Sequence, residues 1–494
     1  MSSVKKNIGY QMAYQVIILV IPLIISPYLT NTLGADAIGV YTYAYTIAYM
    51  FFIVGRLGVV EYGTREIASC QGDDEKLAGK LWTIFFTHGI FSILSVIAYA
   101  VFVLFFCPSN QTVFWTQILF VFSTFLDFTW VYFGVNKFKS LIMRNVFVKV
   151  LELVLIFIFV KNEHHLILYS IIMSLSYLMG NVVVLPYICK TYKFKLPSRK
   201  EILHTMKPLL VLSVSIIALN VYQTIDKVLL GVLTNETNVG FYEYSEKLVK
   251  VPVHIINSIS TVMLPTMTYL ITHNEIKKAR EKFESTLILL SFLSFAFIFG
   301  MASVSDIFIP LYYNSAFIVC ARYLAFLTPL IFLLTFNNTL RAQFLLPYHR
   351  DKEYVISLLI STIVNLVLSL ILIPIFGVVG AIVGTIAGES VATVFEVIIV
   401  RKYISIAKAF KSIVPFLVTG IAMYLILWVI KPFLKVSWIN LFILVIIGGT
   451  AYCLLAFLYL IVFEKDQFSF LMSTLLPKSL LRKKKDVEKT EQSE

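Results

Sequence analysis

Residues 38–44 read IGVYTYA and residues 239–245 read VGFYEYS. Gly39 aligns with Gly240, Tyr41 with Tyr242 and Tyr43 with Tyr244, and small or apolar residues fill most other places. Each copy opens a long apolar run after a short polar loop, and each run is followed by a charged loop. Seven residues alone carry little weight, because glycine and tyrosine are common in apolar helices. The shared position within the pattern of runs carries more. It predicts that one structural unit is written twice.

The composition says what solvent the unit lives in. Of 494 residues, 59% are hydrophobic and 14% are charged. A soluble domain carries about 45–50% apolar and about 25% charged residues. Lipid must therefore surround most of the chain, and in lipid only helices or closed barrels satisfy their own backbone. About 20 apolar residues cross the hydrocarbon. Fourteen such runs are present, at 9–33, 37–60, 81–106, 112–135, 145–160, 164–189, 208–233, 239–268, 285–309, 318–345, 354–374, 377–400, 412–430 and 438–463. The first follows Lys5 and Lys6 and outlasts the 7–15 apolar residues of a signal peptide, so it reads as a retained span.

Lys and Arg favour cytoplasmic loops. With the N-terminus inside, 31 of the 41 Lys and Arg lie in inside segments, and only Lys161, Lys431 and Lys435 lie outside. Both termini are expected in the cytoplasm. The net charge of +13 thus reports topology, and nucleic acid is excluded as a partner. The runs divide into a first lobe (1–190, six spans), a basic cytoplasmic linker (191–207), a second lobe (208–401, six spans), two further helices (402–463) and a basic tail (464–494) with RKKKD at 482–486. That tail can lie on anionic lipid or simply anchor the topology. Both lobes begin inside, which makes them parallel repeats about an axis along the membrane normal, a design suited to alternating access.

Charges inside spans face a bundle interior or a wet cavity. In the eighth span Glu243, Glu246, Lys247 and Lys250 fall at i, i+3, i+4 and i+7, on one helix face. The lysines suit a diphosphate or an anionic sugar, with the glutamates setting affinity or carrying protons; an internally neutralised wet face is the plainer alternative. In the second span Tyr41, Tyr45, Tyr49, Phe52 and Arg56 form another stripe. Aromatic faces pack on sugar rings and arginine bonds phosphate bidentately, against the alternative of helix packing with a snorkelling arginine. Asp226 in the seventh span is the ion-coupling candidate, and its neighbour Lys227 faces elsewhere. Arg341 sits at an inner rim where a headgroup would arrive, and Arg322 reads as an interfacial anchor. Lys149 and Glu152 read as an ion pair near the cytoplasmic surface, and Glu389 and Glu396, on one face, as interhelical pairing partners. Pro22, Pro27, Pro252, Pro265 and Pro329 bend spans without marking a hinge.

Enzyme chemistry finds no support. The chain has no G-x-S-x-G, H-E-x-x-H or G-x-x-x-x-G-K-[ST]. Five scattered cysteines and the adjacent His164 and His165 suit neither a disulfide framework nor a metal site. No cofactor and no metal is expected. Energy must then come from an ion gradient, the membrane potential or substrate consumption.

Three stretches carry a resemblance: RLGVVEYGTREIA (56–68), DFTWVYFGVNKFKSLIMRNVFVKV (127–150) and VNLVLSLILIPIFGVVGAIVGTIAGE (364–389). They resemble bacterial polysaccharide repeat-unit flippases, the Wzx-type branch of the multidrug/oligosaccharidyl-lipid/polysaccharide exporter superfamily. The likeness spans the first twelve runs. It implies an all-α polytopic protein whose two six-helix lobes form a V around a polar cavity. It also implies transfer of undecaprenyl-diphosphate-linked oligosaccharide from the inner to the outer leaflet of the bacterial plasma membrane, for surface polysaccharide synthesis. The implied partners are that lipid, membrane lipids, H+ or Na+ as coupling ion, and a polysaccharide polymerase. Fourteen spans depart from the twelve usual in this branch and are similar to the lipid-linked peptidoglycan-precursor flippases. Two other readings stand beside it: a multidrug/cation antiporter of the same superfamily, and a polytopic polysaccharide polymerase.

Overall fold

A computed structural model describes residues 20–463 apart from Pro108. Lys5, Lys6, the start of the first apolar run and the tail with its RKKKD stretch lie outside the described residues. Helices joined by short loops make up those described, with no strand among them.

The chain forms two compact units. The first comprises residues up to Glu243 together with Ile373–Val378. Its helices are α1 (20–32), α2 (Gly34–Arg56), α3 (Val59–Ala68), α4 (Asp74–Phe106), α5 (Gln111–Thr116), α6 (Ile118–Phe122), α7 (Thr129–Gly134), α8 (Phe138–Phe159), α9 (Leu166–Val182), α10 (Leu185–Thr191) and α11 (Arg199–Leu233). The helix α12 (Glu236–Thr272) begins in this unit and continues into the second. The second unit adds α13 (Ile276–Tyr312), α14 (Val319–Leu327), α15 (Pro329–Leu340), α16 (Asp351–Phe376), α17 (Val378–Val400), α18 (Ile406–Ile430) and α19 (Trp438–Phe463).

Twelve of the described helical segments are long and apolar enough to cross a membrane. They coincide with twelve of the fourteen runs. The run at 145–160 lies in α8, a 22-residue helix that spans the needed length but carries Lys139, Arg144, Lys149 and Glu152. The first run begins outside the described residues and ends in α1. Helix ends are fixed locally at polar loops. Asp73 Oδ1 accepts from the backbone N–H of Lys76 at 3.0 Å, and Ser198 and Glu201 form a capping box at the start of α11. Outward faces stay apolar: Ile97, Leu104 and Phe105 of α4 are exposed, as lipid contact requires.

The repeated phrase meets itself. A Cβ on Gly240 would lie 2.9 Å from Gly39 Cα, and a Cβ on Gly39 would collide with the backbone carbonyl of Glu236. Both glycines are therefore needed for α2 to cross the first turns of α12 backbone to backbone, the close approach that small residues permit in membranes. Thr237 Oγ1 donates to Asp36 Oδ1 at 2.7 Å beside this crossing, and Asn110 Nδ2 donates to Glu236 Oε2 at 2.7 Å. Below it, the ring of Tyr43 packs on Gly231 of α11. Two aromatic cores complete the unit, one around Trp82, Phe128 and Trp130, the other around Tyr99, Phe114 and Phe120.

Candidate functional site

Two broken spans build a cavity of about 450 Å³ inside the first unit. The first break follows Arg56. Leu57 (φ 46°) and Gly58 (φ 63°) both adopt the left-handed conformation and separate α2 from α3. That conformation costs an L-residue roughly 1–2 kcal/mol, so packing must hold Leu57 there. A Cβ on Gly58 would come within 2.8 Å of Ile216 Cδ1. The second break follows α6, where a short 3-10 turn (Ser123–Leu126) leads into extended backbone at Asp127. Irregular backbone at membrane depth is tolerated where it lines a cavity.

The breaks place Arg56 against Asp127. Arg56 Nε donates to Asp127 Oδ2 at 2.9 Å, and the carboxylate side chain is only 4% exposed. Asp127 Oδ1 also accepts from the Thr129 backbone N–H at 2.9 Å and from Thr129 Oγ1 at 2.5 Å. Trp130 Nε1 donates to the Asp127 carbonyl at 2.8 Å, and the Trp130 ring lies so close to Gly63 that a Cβ would overlap it. Asp127 engages only the Nε side of the guanidinium, and Arg56 makes no other hydrogen bond among the described residues. The Arg56 side chain is about a third exposed and lines the cavity.

One wall of the cavity is aromatic. The stripe predicted from sequence forms a ladder: Tyr41–Tyr45, Tyr45–Tyr49 and Tyr49–Phe52 stack with ring centroids 6.0, 6.0 and 6.1 Å apart, and Phe52 stacks on Phe120 at 4.5 Å. The Arg56 guanidinium lies 5.7 Å from the Phe52 ring. Tyr45, Tyr49 and Phe52 line the cavity, whereas Tyr41 is buried behind it, edge-on to Tyr169 at 4.6 Å. The other wall comes from α8 and α9. Lys149 Nζ pairs with Glu152 at 2.8 Å and sits 5.1 Å from the Tyr177 ring; Arg144 Nε donates to Asn145 Oδ1 at 2.9 Å. Tyr49 OH donates to Asn220 Oδ1 at 3.0 Å, and Asn181 Nδ2 donates to the Ser123 carbonyl at 2.7 Å. The cavity thus presents rings for stacking, amides for hydroxyls, and cations each held beside an anion or amide.

The remaining sequence candidates lie elsewhere. Glu243 pairs with Lys227, both within the first unit, so Lys227 of α11 is a partner that spacing along α12 could not foresee. Tyr242 OH donates to Asp226 Oδ2 at 3.5 Å, and both Asp226 and Lys227 are buried. In the second unit Glu246 pairs with Lys250 at 2.8 Å, as the i,i+4 order predicts, and Lys247 Nζ lies 4.2 Å from the Tyr244 ring. Arg341 opens a π-helical turn (Arg341–Leu345) and lies 4.7 Å from the Tyr354 ring. Arg322 is exposed and packs on Phe326. Sequence reasoning missed Asp127, Asn181 and Asn220 as wall residues; Lys149 and Glu152 form the ion pair expected from sequence, and both line the cavity. The signal for Asp127 and Arg144 was present in the DFTW…MRN motif; Asn181 and Asn220 carry no local signature.

Comparison with known proteins follows the same lines. The family model for polysaccharide biosynthesis proteins matches residues 4–271. A relative from Escherichia coli (strain K12) named "Putative O-antigen transporter" is 23% identical over 368 residues, 71% of this chain and 86% of its own length. Among solved structures, the lipid II flippase MurJ in an inward closed conformation superposes with a TM-score of 0.76 at 15% identity, covering 92% of this chain and 99% of its own. An inward-facing multidrug resistance MATE family transporter of the MOP superfamily superposes with a TM-score of 0.57 at 12% identity, covering 78% and 97%. At such identities these structures establish the fold alone. With its multi-span helical fold shared with the MurJ and MATE transporters and a family match over more than half its length, the chain belongs to the polysaccharide biosynthesis protein family.

Proposed function

We propose that the protein is a flippase that moves undecaprenyl-diphosphate-linked oligosaccharide repeat units from the inner to the outer leaflet of the bacterial plasma membrane, for a surface polysaccharide. One observation carries the reading: one cavity is lined by the Tyr45, Tyr49 and Phe52 rings together with Arg56, Arg144 and Lys149. Sugar faces stack on aromatic rings, and a diphosphate engages the free edge of a guanidinium. The family match and the O-antigen relative support the same substrate class. The protein works as a transporter with no catalytic step of its own, with both termini cytoplasmic. Its two six-helix lobes, 1–190 and 208–401, alternate access. Lys247, Lys250, Glu243, Glu246 and Arg341 contact substrate in other states of the cycle, and Asp226 serves ion coupling. A polysaccharide polymerase takes up the product.

The cavity also carries Glu61, Asp127 and Glu152, which match its three cations in number. That balance favours a second reading, a multidrug/cation antiporter. One experiment separates the readings. The protein is depleted from its native bacterium, the leaflet holding the diphosphate-linked oligosaccharide is determined, and rescue is attempted with wild type and with Tyr49→Ala/Arg144→Ala. Accumulation on the cytoplasmic leaflet, rescued by wild type and at least tenfold less by the variant, is the expected outcome. Normal outer-leaflet delivery without polymer formation would replace the flippase with a polymerase, and normal lipids with sensitivity to cationic drugs would establish the antiporter.

A further inference from the structure

Helix α17 carries two acids on one face, Glu389 and Glu396, only 4% and 2% exposed. Both lie in the second unit, outside the cavity described above. Among the described residues neither forms an ion pair. Their neighbours are neutral donors from two other helices: Asn337 of α15 at Glu389, and Ser357 of α16 at Glu396. The charged group nearby is Arg341, whose guanidinium lies over Tyr354 and whose Nε is buried without a partner. A buried carboxylate with no cation bonded to it is costly in lipid, whereas the neutral acid is not.

At Glu396, counting hydrogens gives the same answer independently. Ser357 Oγ lies 2.8 Å from the Tyr354 carbonyl and 2.7 Å from Glu396 Oε1. A hydroxyl has one proton and here meets two acceptors. Both contacts are hydrogen bonds only if Glu396 supplies a proton of its own, donating to Ser357 Oγ while Ser357 donates to Tyr354. The other oxygen, Glu396 Oε2, is buried with no partner, which an anionic oxygen would not tolerate. At Glu389 the amide of Asn337 lies 2.9 Å from Oε2 and 2.6 Å from Thr393 Oγ1, and Thr393 Oγ1 lies 2.7 Å from the Glu389 carbonyl. Asn337 Nδ2 donates to Glu389 Oε2 and lies 3.5 Å from the Glu389 carbonyl, so Glu389 has neutral donors alone, and its proton is argued from burial with no cation bonded to it.

We propose that Glu389 and Glu396 form a proton-binding site in the second unit, each holding one proton at neutral pH. Binding is the simple addition of an aqueous proton to a carboxylate, with release when the surrounding helices admit water. Under the flippase reading this site makes H+ the coupling ion, and that extension rests on the reading; proton occupancy does not.

The test is infrared spectroscopy on the full chain in lipid nanodiscs. At neutral pH the wild type should show a protonated-carboxyl C=O band that shifts in D2O. Glu389→Gln and Glu396→Gln should each lose part of it and the double variant most of it, whereas Glu275→Gln, at an exposed loop, should leave it intact. Glutamine keeps the shape and neutrality of the protonated acid, so these variants are expected to fold. Absence of the band in wild type at neutral pH, or its persistence in the double variant, would overturn the site. Neither outcome touches the leaflet assay, so this inference and the flippase reading fail separately.

Discussion

At the scale of single residues, Arg56 and Asp127 are the informative pair. The spacing of Tyr41, Tyr45, Tyr49, Phe52 and Arg56 was enough to put the arginine at the end of an aromatic stripe, and the ladder has that order. Its anion lies 71 residues away on an extended segment, and no helical period points to it. The pair is asymmetric: the Asp127 side chain is buried and accepts three hydrogen bonds, while Arg56 is about a third exposed. Asp127→Ala should therefore destabilise more than Arg56→Ala. The loss is expected at roughly 2–4 kcal/mol for the aspartate and about 1–2 kcal/mol for the arginine, whose removal leaves Asp127 its Thr129 bonds. Thermal unfolding in nanodiscs reads both, and equal losses would contradict the assigned burial. Arg56→Lys should keep stability near wild type yet lower export, because an ammonium cannot hold Asp127 and offer a second planar edge at once.

At the scale of elements, glycines decide how close helices come. Gly39 and Gly240 were legible as a repeat, but their mutual contact was not, since sequence similarity says nothing about adjacency. Gly39→Val and Gly240→Val should each cost roughly 1–3 kcal/mol through overpacking. Gly180→Ala is the matched control: nothing lies within 4 Å of its added Cβ, so it should be neutral or slightly stabilising. A comparable drop in all three would show that membrane helices here resist any glycine replacement, and the crossing argument would fall. Gly58→Ala tests the break after α2. Its positive φ and the nearby Ile216 predict a loss of about 1–2 kcal/mol and a lower export rate, because Arg56 is aimed by that turn.

At the scale of the whole molecule, the distribution of Lys and Arg predicts an orientation that can be read chemically. Cys189 is exposed at the end of α10, whereas Cys70, Cys107 and Cys320 are buried. A membrane-impermeant maleimide should leave Cys189 unmodified in intact cells and label it after permeabilisation. Labelling in intact cells would invert the topology and move both termini outside. The span pattern itself was almost fully legible, because lipid demands about 20 apolar residues per crossing and the loops between them are polar. The run at 145–160 shows the boundary of that rule: α8 has the length of a span, yet Lys149 and Glu152 neutralise each other within it, facing the cavity rather than lipid.

The sequence by itself determined the helical class, the places where most spans run, the repeated phrase and the aromatic stripe. Each of these follows from short-range periodicity or from transfer into lipid, which act on consecutive residues. The tertiary structure alone decided which distant residues meet. It joined Arg56 to Asp127 and Tyr49 to Asn220 in the cavity, and Glu243 to Lys227 and Glu396 to Ser357 outside it. Those partners stand between 16 and 171 positions apart along the chain. Their meeting depends on where spans break and how closely glycines let helices approach, and neither is encoded in any one helix.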